Sequence, residues 1–159
     1  MKKILRALGL ALLIAVLVPS VVAAYWPVAS RYSYVSQWYS SYHRAIDIYA
    51  AGGTRVVPVR TGTTIFAGYR SNCGGYQVWV SHGNGLYTAY YHLSRIYTYR
   101  GEVVTGGSET IGAVGRSGCA TGTHLHVEVW HGYPWHSGSY RVNPWNYIDY
   151  GYYLPYRYR

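Results

Sequence analysis

The 159 residues are enough for one domain, and 14 Lys and Arg against 5 Asp and Glu give a formal charge of +9. That balance suits an anionic partner, yet no basic run or recognition motif points to nucleic acid. After the first two dozen residues no apolar stretch reaches membrane-spanning length.

The chain opens with Met1-Lys2-Lys3 and Arg6, then an apolar run from Leu8 to Val18, then small residues at Val22-Ala23-Ala24. This is the pattern of a secretory signal peptide, residues 1–24, with cleavage after Ala24; an uncleaved anchor is the alternative. Both lysines fall in it, so the mature chain relies on 11 Arg against 5 acids. The expected location is extracytoplasmic: secreted, in the wall or in a periplasm. No membrane association is expected after cleavage, and a monomer is the expected state.

Residues 25–42 are aromatic and Ser-rich without a clean period and read as an N-terminal arm. Ile46-Asp47-Ile48-Tyr49 is strand-like. Residues 55–60 and 63–67 read as short strands rich in Val, Thr and Ile, with Pro58 confining the first to an edge or bulge. Residues 76–81 and 86–93 form a hairpin about Gly83-Asn84-Gly85, where Asn-Gly suits a type I′ turn. Residues 110–114 are a further short strand, and Gly115 to Gly122 is a loop. Val142 to Ile148 closes the domain with one helical turn, and residues 149–159 form an aromatic, basic tail. No long amphipathic helix appears. The expected fold is all-β, an antiparallel sheet or sandwich with little helix.

Cys73 and Cys119 form a pair in a chain that reads as exported, which favours a disulfide over two free thiols. It would close a loop worth roughly 4 kcal/mol in the chain-entropy model. There are 21 Tyr, 6 Trp and a single Phe, and most of these rings suit β positions with one wet edge.

The chemistry concentrates in Thr121 to Trp130. Alternation along a strand puts His124, His126, Glu128 and Trp130 on one face, and Leu125, Val127 and Val129 on the other. Two imidazoles then stand about 7 Å apart. Upstream, His43 and Asp47 lie four residues apart, and Tyr90-Tyr91-His92-Leu93 adds another histidine. Two His and one Asp can fill three positions on zinc and leave a fourth open for water. Two further histidines can pass protons and stabilise an oxyanion. Alternation alone does not say which histidine of the 124/126 pair binds metal.

These three segments resemble the motifs of the lysostaphin/LytM-type zinc endopeptidases. Supporting words lie around them: Gly62-Thr63, His82-Gly83-Asn84-Gly85, Ile111-Gly112, Thr121-Gly122 and Val142-Asn143-Pro144. The resemblance covers about Ser36 to Ile148. It implies a zinc metallopeptidase domain over residues 43–148, with His43, Asp47 and His126 as Zn2+ ligands and His92 and His124 as catalytic histidines. It also implies an active-site groove in the antiparallel β fold and peptide-bond hydrolysis in peptidoglycan, in stem or cross-bridge. Four positions depart from the family pattern: Ala45 for Gly, Tyr91 for a small residue, Thr123 for Pro and Val127 for Phe. A non-catalytic wall-binding or hydrolase-activating module on the same fold is the competing reading. Retention of all five site residues speaks against it.

Other candidates have plainer readings. His82, before the hairpin turn, is expected to bond backbone, and His131 and His136 to lie at the surface. Glu128 is either a carboxylate that orients an imidazole or a salt-bridged strand residue. Tyr39 and Tyr42 precede the first ligand and could reach the groove. Arg44 and Arg116 read as solvated loop residues.

Overall fold

The computed structural model describes residues 23–149. The signal-peptide reading and most of the tail therefore lie outside the described residues. Among these residues there are eleven strands: β1 Tyr34–Gln37, β2 Ile46–Tyr49, β3 Arg55–Val56, β4 Gly62–Arg70, β5 Gly75–Ser81, β6 Leu86–Leu93, β7 Arg95–Ile96, β8 Val103–Val104, β9 Gly112–Ala113, β10 Leu125–His131 and β11 Tyr140–Val142. One 3-10 turn, Pro144–Asn146, follows β11, with Asn143 accepting from the Trp145 N–H as its cap.

The large sheet runs β1-β2-β10-β6-β5-β4-β8, with β11 also on β10, and a small sheet runs β3-β9-β7. Every pairing is antiparallel. The hairpin between β5 and β6 turns at Asn84 and Gly85, whose φ values of 50° and 73° are the positive pair that a type I′ turn needs. The Leu86 N–H closes it on the Gly83 carbonyl.

Period-two alternation sorts the large sheet into two faces. Ile46, Ile48, Val78, Val80, Tyr90, Leu125 and Val127 point inward and meet Val56, Ile111 and Val114 from the small-sheet side in one buried core. The Tyr90 hydroxyl joins the layers by accepting the Val59 N–H at 2.9 Å. The opposite face carries a second cluster of Trp79, Ala89, Tyr91 and Trp130. Asp47 of β2 and His126 and Glu128 of β10 alternate onto this second face along with Trp130.

Three expectations are corrected. The N-terminal arm carries more regular structure than its sequence predicts: residues 34–37 form β1, and Trp26, Val28 and Val35 are buried in the core. Its pattern was hidden because β1 pairs only with β2 and its register shifts between Val35 and Gln37. The strand expected at 55–60 keeps only two paired residues, since Pro58 cannot donate to a ladder. That expected at 110–114 also shrinks, to Gly112–Ala113.

Cys73 and Cys119 are disulfide-bonded. The bridge ties the loop before β5 to the loop before β10.

Candidate metal centre

Strand register builds the centre. His126 in β10 stands opposite Asp47 on one side and Tyr91 of β6 on the other. Three neighbouring strands thus set these side chains side by side on the second face. His43 reaches Asp47 from just before β2, four residues upstream. His124 sits one residue ahead of β10, in a bridge with Gly115.

His92 arrives by a different device. A regular strand would send it away from Tyr91, into the core. Between the pairs Tyr76–Leu93 and Val78–Tyr90, however, the register slips, so Tyr91 and His92 both face Gln77. This is a bulge, which re-aims a side chain. His92 takes φ 62°, a backbone conformation rare outside glycine. Its ring then lies 4.9 Å from that of His124 and 5.8 Å from that of His126.

The structure therefore brings all five sequence-predicted residues together. His43, Asp47 and His126 each offer a ligand atom, and these lie within 4.8 Å of one another; so do the atoms of His92, His124 and His126. Asp47 Oδ1 is 2.7 Å from His126 Nδ1 and 3.2 Å from His43 Nε2, and Asp47 Oδ2 is 3.8 Å from His124 Nε2.

Hydrogen bonds settle which nitrogens face inward. His43, His92 and His124 each place Nδ1 on a backbone carbonyl, those of Trp38, Ser117 and Gly122, at 3.2, 2.9 and 3.0 Å. Only a protonated Nδ1 can donate there, so each Nε2 is left as a bare lone pair. His126 is turned the other way, with Nδ1 toward Asp47 and Nε2 toward Glu128 at 3.5 Å. The His43 Nε2 atom is buried and makes no hydrogen bond. An orphaned lone pair beside a carboxylate and a third donor fits a cation, and two imidazoles with one carboxylate suit zinc.

The electrostatics agree. Burial pushes the Asp47 carboxyl up, but the His126 hydrogen bond and the charges of His126, His43 and His124 hold it below the ordinary value. Burial pulls His126 down, while its hydrogen bonds to Asp47 and Glu128 and their charge lift it to about 9. Ionised Asp47 and Glu128 thus supply negative charge beside His126, which favours a cation there. His92 goes the other way: burial lowers it, the Ser117 bond opposes this, and the neighbouring His124 and His126 add to the fall. It stays a neutral base near pH 7.

Beneath His126 lies a network that the sequence did not reveal. The Glu128 carboxylate is 2 % exposed and accepts from the Tyr91 hydroxyl, Trp130 Nε1 and Arg141, each at 2.8 Å. Trp135 Nε1 in turn donates to the Tyr91 hydroxyl at 3.1 Å. Both readings of Glu128 meet here, since it is ion-paired with Arg141 and also faces an imidazole. The signal available in sequence was Tyr91 itself, a large residue where the resembled family has a small one.

Two clefts flank the centre. One, of about 180 Å³, lies among Cys73, Gly74, Tyr91, His92, His126 and Trp135. The other, of about 350 Å³, lies among Ser36, Asp47, Tyr49, Thr121, Thr123 and His124. His126 lines the first and Asp47 the second, so two candidate ligands that face each other across β2 and β10 border both clefts.

The remaining candidates fall outside. His82 bonds the Thr61 carbonyl and the Thr88 hydroxyl, and His131 bonds the Tyr147 hydroxyl. His136, Arg44 and Arg116 are exposed, as expected of surface residues. Tyr39 packs against the core and Tyr42 is fully exposed, so neither stands among the residues that line the clefts.

Residues 41–144 match the family model described as Peptidase family M23. The chain belongs to that family. The resemblance to lysostaphin-type enzymes is thereby borne out, as is the all-β antiparallel fold. Among relatives of this M23 chain is the DD-carboxypeptidase/endopeptidase Mpg of Neisseria meningitidis, 41% identical over 87 residues that cover 55% of this chain and 20% of that protein. The peptidoglycan DD-endopeptidase ShyC of Vibrio cholerae is 38% identical over 86 residues, 54% of this chain and 19% of its own. Lysostaphin of Staphylococcus staphylolyticus is 31% identical over 87 residues, 54% of this chain and 18% of its own. The chain thus spans about a fifth of the length of the curated relatives it matches. Among solved structures, lysostaphin from Staphylococcus simulans superposes with a TM-score of 0.64 at 25% identity, over 77% of this chain and 53% of that one. A zinc containing peptidase from Vibrio cholerae superposes with a TM-score of 0.63 at 25% identity, over 68% and 37%.

Proposed function

We propose that this M23 protein is a zinc-dependent endopeptidase that hydrolyses peptide bonds of bacterial peptidoglycan outside the cytoplasm. The observation that carries the reading is the inward convergence of His43 Nε2, Asp47 Oδ1 and His126 Nδ1, with the Nε2 atoms of His92 and His124 beside them. His43, Asp47 and His126 would hold the metal, which when bound supplies a Lewis acid that makes water nucleophilic near neutral pH and polarises a carbonyl. Asp47 contributes the negative charge of that set and, through its contact with His124, couples the ligand cluster to the neighbouring base.

His92 and His124 would act on the substrate. A neutral His92 accepts a proton at Nε2 and returns it to the leaving amine. As each histidine becomes protonated, its Nε2–H faces the developing oxyanion and stabilises it. Their Nδ1 bonds to the Ser117 and Gly122 carbonyls fix both rings and strengthen as the rings charge. The paired clefts hold an extended peptide across the centre. Attack by water needs no covalent enzyme intermediate, and Cys73, at the rim of one cleft, is held in a disulfide and is no nucleophile. The signal-like residues 1–24 support the proposed location, since this substrate lies outside the cytoplasm.

The test is direct. The zinc-loaded protein is incubated with purified peptidoglycan, and released fragments are identified by mass spectrometry. Cleavage of peptide bonds that is lost on chelation and in His124→Ala is the expected result. Wall binding without zinc-dependent cleavage would replace the enzyme with the binding module.

A further inference from the structure

His92, near the end of β6, is held by hydrogen bonds to two loops. Its N–H donates to the Gly74 carbonyl at 3.0 Å, its Nδ1–H to the Ser117 carbonyl at 2.9 Å, and its own carbonyl accepts the Ser117 N–H at 3.4 Å. The first loop precedes β5 and contains Cys73. The second contains Cys119 and runs on to Gly122, whose carbonyl fixes His124. The loops are joined closely. The Cys119 N–H reaches the Cys73 carbonyl at 2.9 Å, and Ser117 Oγ accepts the Tyr76 N–H while donating to the Leu93 carbonyl. Gly118, at φ 70°, passes so near the Cys73 carbonyl that a Cβ there would collide with it. The disulfide covers this junction.

Two residues here occupy sparsely populated backbone conformations, His92 at φ 62° and Cys73 at φ 68°. Such conformations persist where surrounding structure over-determines them. The zinc-ligand candidates are anchored differently, on β2 and β10 and on the Trp38 carbonyl, whereas both cysteines lie in loops.

We propose that the Cys73–Cys119 disulfide is a positioning element for His92: it clamps the loop that holds the His92 backbone to the loop that holds its imidazole. Its reduction frees the ring and lowers turnover without releasing the metal. The proposal rests on the reading of His92 as a group that meets substrate. Both cysteines are solvent-exposed, so a reductant reaches them from solution. With a water-soluble phosphine the step balances: phosphorus attacks one sulfur and breaks the S–S bond, and water then releases phosphine oxide and leaves two thiols.

The experiment compares oxidised and phosphine-reduced protein, both loaded with zinc and kept well below the unfolding temperature. NMR follows amide exchange at His92 and at Val127 in the core, together with the His92 imidazole nitrogens. Zinc content, kcat and KM are measured on the same samples, and Cys73→Ser/Cys119→Ser serves as a second route to the unbridged state. On reduction, His92 exchange is expected to rise about tenfold or more while Val127 stays slow, as in local rather than global opening. The His92 nitrogens should lose the signature of a single Nδ1–H tautomer. Turnover should fall about ten- to hundredfold at constant zinc content and similar KM. Equal acceleration at His92 and Val127 would make the bridge a general stabiliser and overturn the proposal. So would His92 signals and kcat that ignore reduction. If the oxidised protein cleaves nothing, the reaction proposed above fails, but the exchange and imidazole measurements still decide the role of the bridge.

Discussion

Asp47 and His126 face each other across the β2–β10 pairing, and Asp47 Oδ1 stands 2.7 Å from His126 Nδ1. The same oxygen is 3.2 Å from His43 Nε2, so one carboxylate serves two imidazoles from two directions. Asp47→Ala removes this hub. The expected outcome is loss of stoichiometric zinc, read by atomic absorption, and loss of zinc-dependent activity. The strands themselves should persist, because Ile46 and Ile48 keep their burial in the core. A variant that kept its zinc would remove Asp47 from the ligand set.

Glu128 orients His126 from below. Glu128→Gln keeps the shape but removes the charge that faces His126 and Arg141. Carboxylates behind a ligating histidine typically contribute 10–100-fold in metal affinity, and a fall of about that size is expected here. Competition with a chromophoric chelator would measure it. Unchanged affinity would reduce Glu128 to a partner of Arg141, Trp130 and Tyr91.

Much of this was legible from alternation. Ile46-Asp47-Ile48 and Leu125-His126-Val127 each put one polar residue between two core residues, while the grouping of Asp47 with His126 rests on the family resemblance and their shared face comes from the β2–β10 pairing. The Asn84-Gly85 turn was legible because few residues accept two successive positive φ values. His92 was not reachable this way. Its orientation comes from a register slip between β5 and β6, which depends on Gln77 in another strand. Nor was the Glu128 network, because Arg141 and Trp135 reach Glu128 and Tyr91 from a return segment whose path the local pattern does not encode. β1 was missed for the same reason, since its place depends on pairing with β2 and its own sequence has no clear period.

Tyr91 gives a stability prediction. Its hydroxyl donates to Glu128 and accepts from Trp135, and the side chain is 3 % exposed. Burial and the adjacent Glu128 charge hold this phenol well above its ordinary pKa, so it is a donor at any working pH. Tyr91→Phe leaves Glu128 one donor short and Trp135 Nε1 without its acceptor. A loss of about 1–3 kcal/mol is expected from urea unfolding. A loss below about 0.5 kcal/mol would show that water or Arg141 replaces the phenol at little cost.

His82 should make the fold acid-sensitive. Burial pushes its pKa below 6.5, the Thr61 carbonyl bond opposes this, and the positive charge of Arg60 adds to the fall. Its Nδ1 donates to the Thr61 carbonyl, so in the neutral ring Nε2 accepts from the Thr88 hydroxyl, whose oxygen lies 2.9 Å from that of Tyr90, a phenol pushed up to about 12 and so uncharged. No carboxylate appears among these partners. The folded state therefore keeps His82 neutral after the unfolded chain has begun to take up a proton. The contribution is complete above pH 6.5 and drains away as pH falls from there toward the lower folded value, because the unfolded state binds the extra proton. Thermal unfolding of wild type and His82→Gln at pH 7.5 and 5.5 would check this. The wild-type Tm should drop further between the two pH values than that of the variant. Equal drops would assign the acid sensitivity to other histidines.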